Sequence, residues 1–422
     1  MDASRFDDAS GCSAATARAT SGDHVEPSWE ERLRITVGPQ KADLIGSDDK
    51  VLQAAIDYVA RLGGGTVRVL PGIYRLRNAV HLASKVRLVG SGPDSVLIKE
   101  PSVSAKLSAS SDWFDQEITL KDGAGFEVGD GVCLRGRDPD HGGTSIVKRT
   151  LVARSGNRFK LDRSLRENFW LRGESSVATL FPLLSGEDIV DVVIEGLTLD
   201  GNKEQNQYLD GNHAGGIFLQ GSSRITMRDL TVRRYNGDGI SWQICHDVIV
   251  EDCHVHDHAE FALHPGSGSQ RPIIRGNTLE RNEVGLYICW GVRHGLVEKN
   301  VLEDNRSCGI SIGHRDADNV VRDNIIRRSG KIGVLFRSER GFAAHRNRIE
   351  NNRIVDSGME TGVGIDIQGE TESIHLVANE LQETREPHSR IGIRIGPQAC
   401  DIQMIDNRTE GFAVSVADLR RP

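Results

Sequence analysis

The sequence predicts an all-β fold, a right-handed parallel β-helix, and three observations carry the prediction. A phrase recurs every 23 to 28 residues through the second half of the chain. One place in that phrase holds an asparagine, at Asn277, Asn300, Asn324, Asn352, Asn379 and Asn407. The third is a core vocabulary of glycine and small aliphatics: 46 of 422 residues are glycine, and aromatics make up only 5%. Each phrase contains three short stretches of alternating polarity, too short for helices, and three strands per phrase describe one coil of a solenoid. Leucine-rich repeats share the length but carry one strand per unit. In-register stacking at about 4.8 Å places equivalent residues directly above one another, so an inward asparagine at one bend forms a ladder bonded to its neighbours.

Residues 1–34 are polar and small and read as a disordered tail. Residues 35–100 hold a cap and the first coils. Asp48 and Asp49 precede an amphipathic run from Val51 to Ala60, which ends at Gly63-Gly64-Gly65. A helix there covers the open solenoid end and shields its unpaired backbone. Residues 101–186 break the phrase. Phe126 to Asp130 and Phe159 to Asp162 read as strands of a small inserted β subdomain. Residues 187–422 form the main coils, opened by Gly216, Gly239, Gly285, Gly309, Gly333, Gly364 and Gly392, with Leu230 and Cys253 in the asparagine slot of the earlier coils.

A formal charge of -8 argues against a partner whose affinity comes from phosphate neutralisation. No apolar run approaches the ~20 residues of a bilayer span, and no charged n-region leads into an apolar stretch. The expectation is therefore a chain without a nucleic-acid or membrane partner. It is cytoplasmic on its sequence, or secreted or periplasmic if a leader has been removed. The seven cysteines lack CxxC spacing and read as reduced thiols. Oligomeric state is left open.

The cap, the run Gly63 to Tyr74 (GGGTVRVLPGIY) and the phrase Val193 to Gly201 (VIEGLTLDG) resemble the pectin-lyase-like superfamily of right-handed parallel β-helix proteins. That superfamily includes pectate and alginate lyases, epimerases, polygalacturonases and tailspikes. The resemblance covers most of the chain and implies a poly- or oligosaccharide partner. It also implies that ligands lie along the outer face of the first, glycine-led strand of each coil.

Outward positions on that strand form two expected columns. One runs Ser241, Ala262, Tyr287, Ser311, Leu335, Asp366, Arg394; the other runs Gln243, His264, Cys289, Gly313, Arg337, Gln368. Insertions at Asn202 to Ala214, Ser357 to Thr361 and Glu383 to Arg390 wall this face into a cleft. Breaking a uronate chain by β-elimination needs a cation on the carboxylate, a base for the α-proton and an acid for the leaving oxygen. Arg337 or Arg315 suits the first role, His264 the second and Tyr287 the third, with Asp366 nearby. Epimerisation shares the first step. Trp290, His314, Arg315, Gln243 and Gln368 are the expected substrate-binding groups, Trp290 as a stacking platform.

A glycoside hydrolase would instead use a carboxylate pair drawn from Asp238, Glu260, Glu339 and Glu370. Asn236-Gly237-Asp238 is similar to the Asn-Thr-Asp of polygalacturonases, and Gly313-His314-Arg315 to their Gly-His-Gly. Their Asp-Asp pair is replaced by Ala259-Glu260, and the histidine comes a coil late. A third reading is a non-catalytic, glycan-binding or structural solenoid whose outer face is polar only for solvation. No cofactor is required by any of the three. A Ca²⁺ held by Asp200, Glu204 and Asp210 is one reading of the loop entering the cleft. A zinc site at His254 and His256 is outweighed by solvated histidines.

Overall fold

The computed structural model describes residues 26–140, 142–359, 361–386 and 389–420. Three long parallel sheets of 13, 11 and 11 strands wrap one core, and a separate six-stranded sheet sits beside them. Each coil contributes a first strand led by glycine, a second strand after a bend, and a third strand after the asparagine. In one coil these are Val284–Tyr287, Leu296–Glu298 and Val301–Glu303. Their partners are the equivalent strands of the next coil, in register: Leu286 with Ile310, Val297 with Val321, Leu302 with Ile326. Small aliphatics fill the space between the sheets in one continuous cluster.

The expected asparagine ladder is continuous from Asn277 to Asn407. Each side-chain oxygen accepts the backbone N–H of the preceding rung, at 2.9 to 3.1 Å. Each side-chain nitrogen donates to a strand carbonyl of the preceding coil, for example Asn324 to Val297 at 3.0 Å. The residue before each asparagine is left-handed, φ +56° at Lys299 and +55° at Asp323, which turns the chain through the bend. A second ladder, not anticipated, runs along the bend between the third and first strands. There Asn305 serves Asn282 and Asn282 serves His258, each at 3.0 Å.

Helix α1 (Asp49–Arg61) closes the N-terminal end. Asp48 caps it through Val51 N–H, and Leu52, Ala55, Ile56 and Val59 face the core. The ordered chain starts before residue 35: Trp29–Glu31 form a short 3-10 turn, and Leu33–Gly38 pairs with Gly65–Val69. The tail reading therefore gives way over residues 26–34, where Glu26 pairs with Arg228 at 2.9 Å and Leu33 and Arg34 join the sheet; residues 1–25 lie outside the described residues. Residues 104–178 build the antiparallel sheet with its own core of Leu107, Phe126, Leu134, Phe159 and Phe169.

Outward positions of the second sheet alternate in charge, Glu195, Arg228, Glu251, Arg275, Glu298, Arg322, Glu350. Stacking forces each residue against its own equivalents, so alternation replaces like-charge repulsion with pairs such as Arg228 to Glu195 at 2.6 Å. No helix among the described residues is long and apolar enough to cross a membrane.

Candidate functional site

The first sheet aligns one outward row as Ser185, Phe218, Ser241, His264, Tyr287, Ser311, Leu335, Asp366 and Arg394. His264 thus stands in the row of Tyr287, not in that of Gln243 as the spacing suggested. The coil Phe261–Gly266 lacks the leading glycine, and Ala262 takes its place, level with Gly239. The strand is thereby displaced by two residues, which keeps the same face outward but moves His264 one position along it.

That shift sets His264 over Asp238. The imidazole Nδ1 lies 2.7 Å from Asp238 Oδ2, and both side chains are buried. Asp238 also accepts the Phe261 N–H at 3.1 Å. Burial would lower His264, but the hydrogen bonds with Asp238 and Cys289 outweigh it and raise the imidazole to about 9. Burial pushes the Asp238 carboxyl up while His264 pulls it back. The direction we assign to the pair is a retained proton: a buried carboxylate beside imidazolium keeps it well past neutrality.

Tyr287 borders this pair. Its ring stacks on Phe261 at 4.0 Å, and both rings meet His264 edge-on at 5.3 Å. Burial raises the Tyr287 hydroxyl, against the lowering effect of Arg337. Arg337 arrives from two coils further on. Its guanidinium lies 4.3 Å from the Tyr287 ring centre and donates to Ser311 Oγ at 2.9 Å and the Ile288 carbonyl at 2.8 Å. Asp316 stands 3.6 Å away, held by the N–H groups of Gly291, Val292 and Gly313.

Gly313 makes this reach feasible, since a Cβ there would meet the Arg337 guanidinium. Gly313→Ala is expected to leave thermal stability within about 1 kcal/mol, because only a flexible side-chain end must move. Displacing the guanidinium by that much should lower the kcat/KM of a reaction run at this face roughly 10- to 100-fold. A folded variant with unchanged kinetics would remove Arg337 from the site.

The remaining expected residues divide between the cleft and the frame. Trp290, exposed, stacks on His314 at 4.9 Å, and His314 meets Phe342 at 5.4 Å. Arg315 lies 5.5 Å over Phe342. This gives an aromatic strip along three successive coils, of which Phe342 escaped the sequence reading because its coil carries a longer turn. Glu339 lies 3.9 Å from His314 and 4.0 Å from Arg337.

Glu370 accepts the Gly341 N–H at 2.6 Å and so holds the turn that presents Phe342. Asp366 is three coils beyond Tyr287, roughly 14 Å at the rung spacing. It is closed by Arg394 at 2.8 Å and by Gln368 at 2.5 Å. It therefore belongs to a separate ion pair and does not join His264. Gln243 is buried and donates to Ser241 Oγ at 3.0 Å.

The carboxylate pair Asp238 with Glu260 does not flank an open space. Asp238 is fully buried beneath Gly211, where a Cβ would collide with its carboxylate. Glu260 is half-buried, raised by burial and by Asp238, and bonded to Tyr208.

Asp200 is taken by Arg233 at 2.9 Å and Arg234 at 2.6 Å. His254 pairs with Glu280 at 2.8 Å and His256 with Asp257 at 2.6 Å. These partners occupy Asp200 of the calcium reading and both histidines of the zinc reading. Among the described residues no set of three or more His, Cys, Asp and Glu side chains converges as a metal cage. His258 is buried in the second ladder, where burial pulls it down to about 3. Of the cysteines, Cys133, Cys245, Cys253 and Cys308 are buried, Cys289 is half-buried and Cys400 exposed; Cys12 lies outside the described residues.

Comparison with known proteins agrees with this architecture. Residues 195–381 match the family model described as a right handed beta helix region. Two mannuronan C-5 epimerase A-modules of Azotobacter vinelandii superpose with TM-scores of 0.55 and 0.56 at 15% and 14% identity. Each alignment covers 89% of this chain, and 96% and 95% of theirs. A surface protein and adhesin of Streptococcus pneumoniae has a TM-score of 0.50 at 13% identity, covering 89% of this chain and 96% of its own. No curated protein sequence matches. The in-register coils, the asparagine ladder and these similarities together identify the fold as a right-handed parallel β-helix.

Proposed function

We propose that the chain is a carbohydrate-active enzyme that removes the proton α to the carboxylate of a uronate residue, as a lyase or a C5 epimerase. The observation that carries this reading is the meeting of His264–Asp238, Tyr287 and Arg337 on neighbouring coils, beside the strip of Trp290, His314 and Phe342. Abstracting that proton puts charge on the carboxylate, and Arg337 is the cation set against the same row. The two proton-transfer roles follow from the order in which the groups ionise. His264 loses its proton near 9, while Tyr287, raised by burial, still holds its own. Neutral His264 is then the base and Tyr287 the acid that meets the leaving oxygen or the opposite face of the carbanion. His264 is buried against the Phe261–Tyr287 pair, so these rings have to move before the imidazole meets a sugar. Two proteins of this fold bear the name mannuronan C-5 epimerase, which lends the reading support.

The assay incubates the protein with pectate, alginate and glycosaminoglycans, following unsaturated product by ultraviolet absorbance and C5 inversion by NMR. The expected rate climbs with pH up to about 9, as His264 deprotonates, and falls at higher pH as Tyr287 ionises. New reducing ends without unsaturation would instead indicate a hydrolase. Absence of all three signals would leave the non-catalytic reading.

A further inference from the structure

The row of outward side chains on the first sheet changes character at Tyr287. Before it, Ser185, Phe218, Ser241 and His264 are all buried, at 4%, 0%, 0% and 3% exposure. After it, Leu335 and Arg394 are half-exposed. Ser311 and Asp366 are buried, at 2% and 0%, beneath the side chains of Arg337 and Arg394 that bond them.

The cover over the early rungs comes from separate pieces of chain. From the inserted antiparallel sheet, Lys148 places its Nζ 3.9 Å over the Phe218 ring. The loop 202–214 lies across the next rungs, where the Gly211 carbonyl accepts Ser241 Oγ at 2.6 Å and Gly211 packs on Asp238. This loop is held by backbone and side-chain bonds at several points. Leu209 N–H bonds Asn236 O at 2.9 Å, Asn236 Nδ2 donates to Asn206 O at 2.8 Å, and Arg135 grips the Tyr208 carbonyl. The aromatic strip lies only on the open side, beginning at the coil of Tyr287.

Resting on the uronate reading above, we infer that the protein acts on the end of a uronate chain, which enters along the open rungs and stops against the wall formed by loop 202–214 and the inserted sheet. A polymer lying across the first sheet has rungs to occupy on one side of His264 and Tyr287 and packed protein on the other. An internal bond has no path to the proton-transfer pair, because the continuing chain would have to displace Gly211 and Lys148. A terminal residue meets the pair with its neighbours lying over Tyr287 and along the strip. No new bond chemistry is involved, only the choice of which residue in the chain reacts.

The test uses the full chain and one uronate polymer that it turns over, fractionated by length and supplied at equal uronate mass below saturation. End-directed action makes the initial rate follow the number of chain ends, so chains ten times shorter react about tenfold faster per unit mass. Products from a lyase should then be of one small size from the first time point, and C5 inversions from an epimerase should begin at one terminus. A rate independent of length, with products of mixed size or inversions spread along the chain, would overturn the inference and leave the proposed chemistry in place. No turnover at any length in any uronate polymer would overturn the proposed chemistry and this inference with it.

Discussion

Asp238→Asn is expected to lower turnover of a uronate substrate by roughly 10²- to 10⁴-fold while the solenoid remains folded. The carboxylate does three things at once: it fixes the imidazole through Nδ1 at 2.7 Å, sets the proton affinity of His264, and anchors the turn through Phe261 N–H. Asparagine keeps the shape and an acceptor for the amide but removes the charge. His264 then loses the partner that opposes its burial and falls from about 9. The residual activity should therefore show its rising limb, set by His264, at lower pH than the wild type, an outcome that loss of packing alone does not produce.

Stability follows the same linkage. A histidine whose folded value lies above its ordinary 6.5 contributes stability that is complete below 6.5 and is lost as pH rises through about 9. Wild-type thermal midpoints should decline across that window, and the variant should lose this slope. The raised Asp238 carboxyl acts in the same sense, its stability being present below the ordinary carboxylate value and lost as pH rises, but its decline begins at the acid end of the scale. Unchanged turnover with an unchanged pH profile would exclude the dyad from the chemistry.

The fold was legible because stacking repeats its own signature. Every coil needs an inward aliphatic where the sheets face each other and a hydrogen-bonding group where the chain bends, so one coil teaches the next. The second ladder was harder to see because its slot accepts His258, Asn282, Asn305, Ser329 and Ser357, whose common trait is a buried polar side chain and not one residue type. The site was legible in part. Tyr287, Arg337, Trp290 and His314 are outward on coils that keep the glycine-led phrase, and counting places them.

His264 could be placed in the right face but not in the right row, because Ala262 stands for the glycine. Asp238 was read as a catalytic carboxylate from a motif resemblance, whereas contact with His264 one coil on gives it a different part. Phe261 opens the strand that lacks its leading glycine, and Tyr208 and Phe342 left no periodic trace because they act through an insertion and a turn, whose lengths vary freely from coil to coil. The closing of the early rungs was invisible for the same reason, since nothing in the repeat says where an inserted sheet will lie.

The largest expected loss of stability belongs to the asparagine ladder. Asn324 is 1% exposed and stands between Asn300 and Asn352. Its Oδ1 accepts the backbone N–H of Asn300 at 3.0 Å and Asn300 Nδ2 at 2.9 Å. Its Nδ2 donates to the Val297 carbonyl at 3.0 Å and to Asn352 Oδ1 at 2.9 Å. Asn324→Ala strips the Asn300 amide and the Val297 carbonyl of these partners inside a bend that water does not reach. Each stranded buried group costs about 1–3 kcal/mol, so the substitution should cost roughly 3–5 kcal/mol.

Denaturant midpoints against wild type measure this, and the loss should be accompanied by faster amide exchange on the coils either side. Because each coil is braced chiefly by its neighbours, opening at Asn324 should spread along the solenoid while the antiparallel sheet of residues 104–178 keeps its protection. A serine occupies the equivalent slot of the second ladder at Ser329, where its Oγ is buried and reaches no hydrogen-bond partner. Asn324→Ser should therefore recover little of the loss, its hydroxyl being too short to serve both the Asn300 amide and the Val297 carbonyl. A cost below about 1 kcal/mol for the alanine variant would mean that the carbonyls and amides of the bend find other partners. The ladder would then record the geometry of the stack without holding it together.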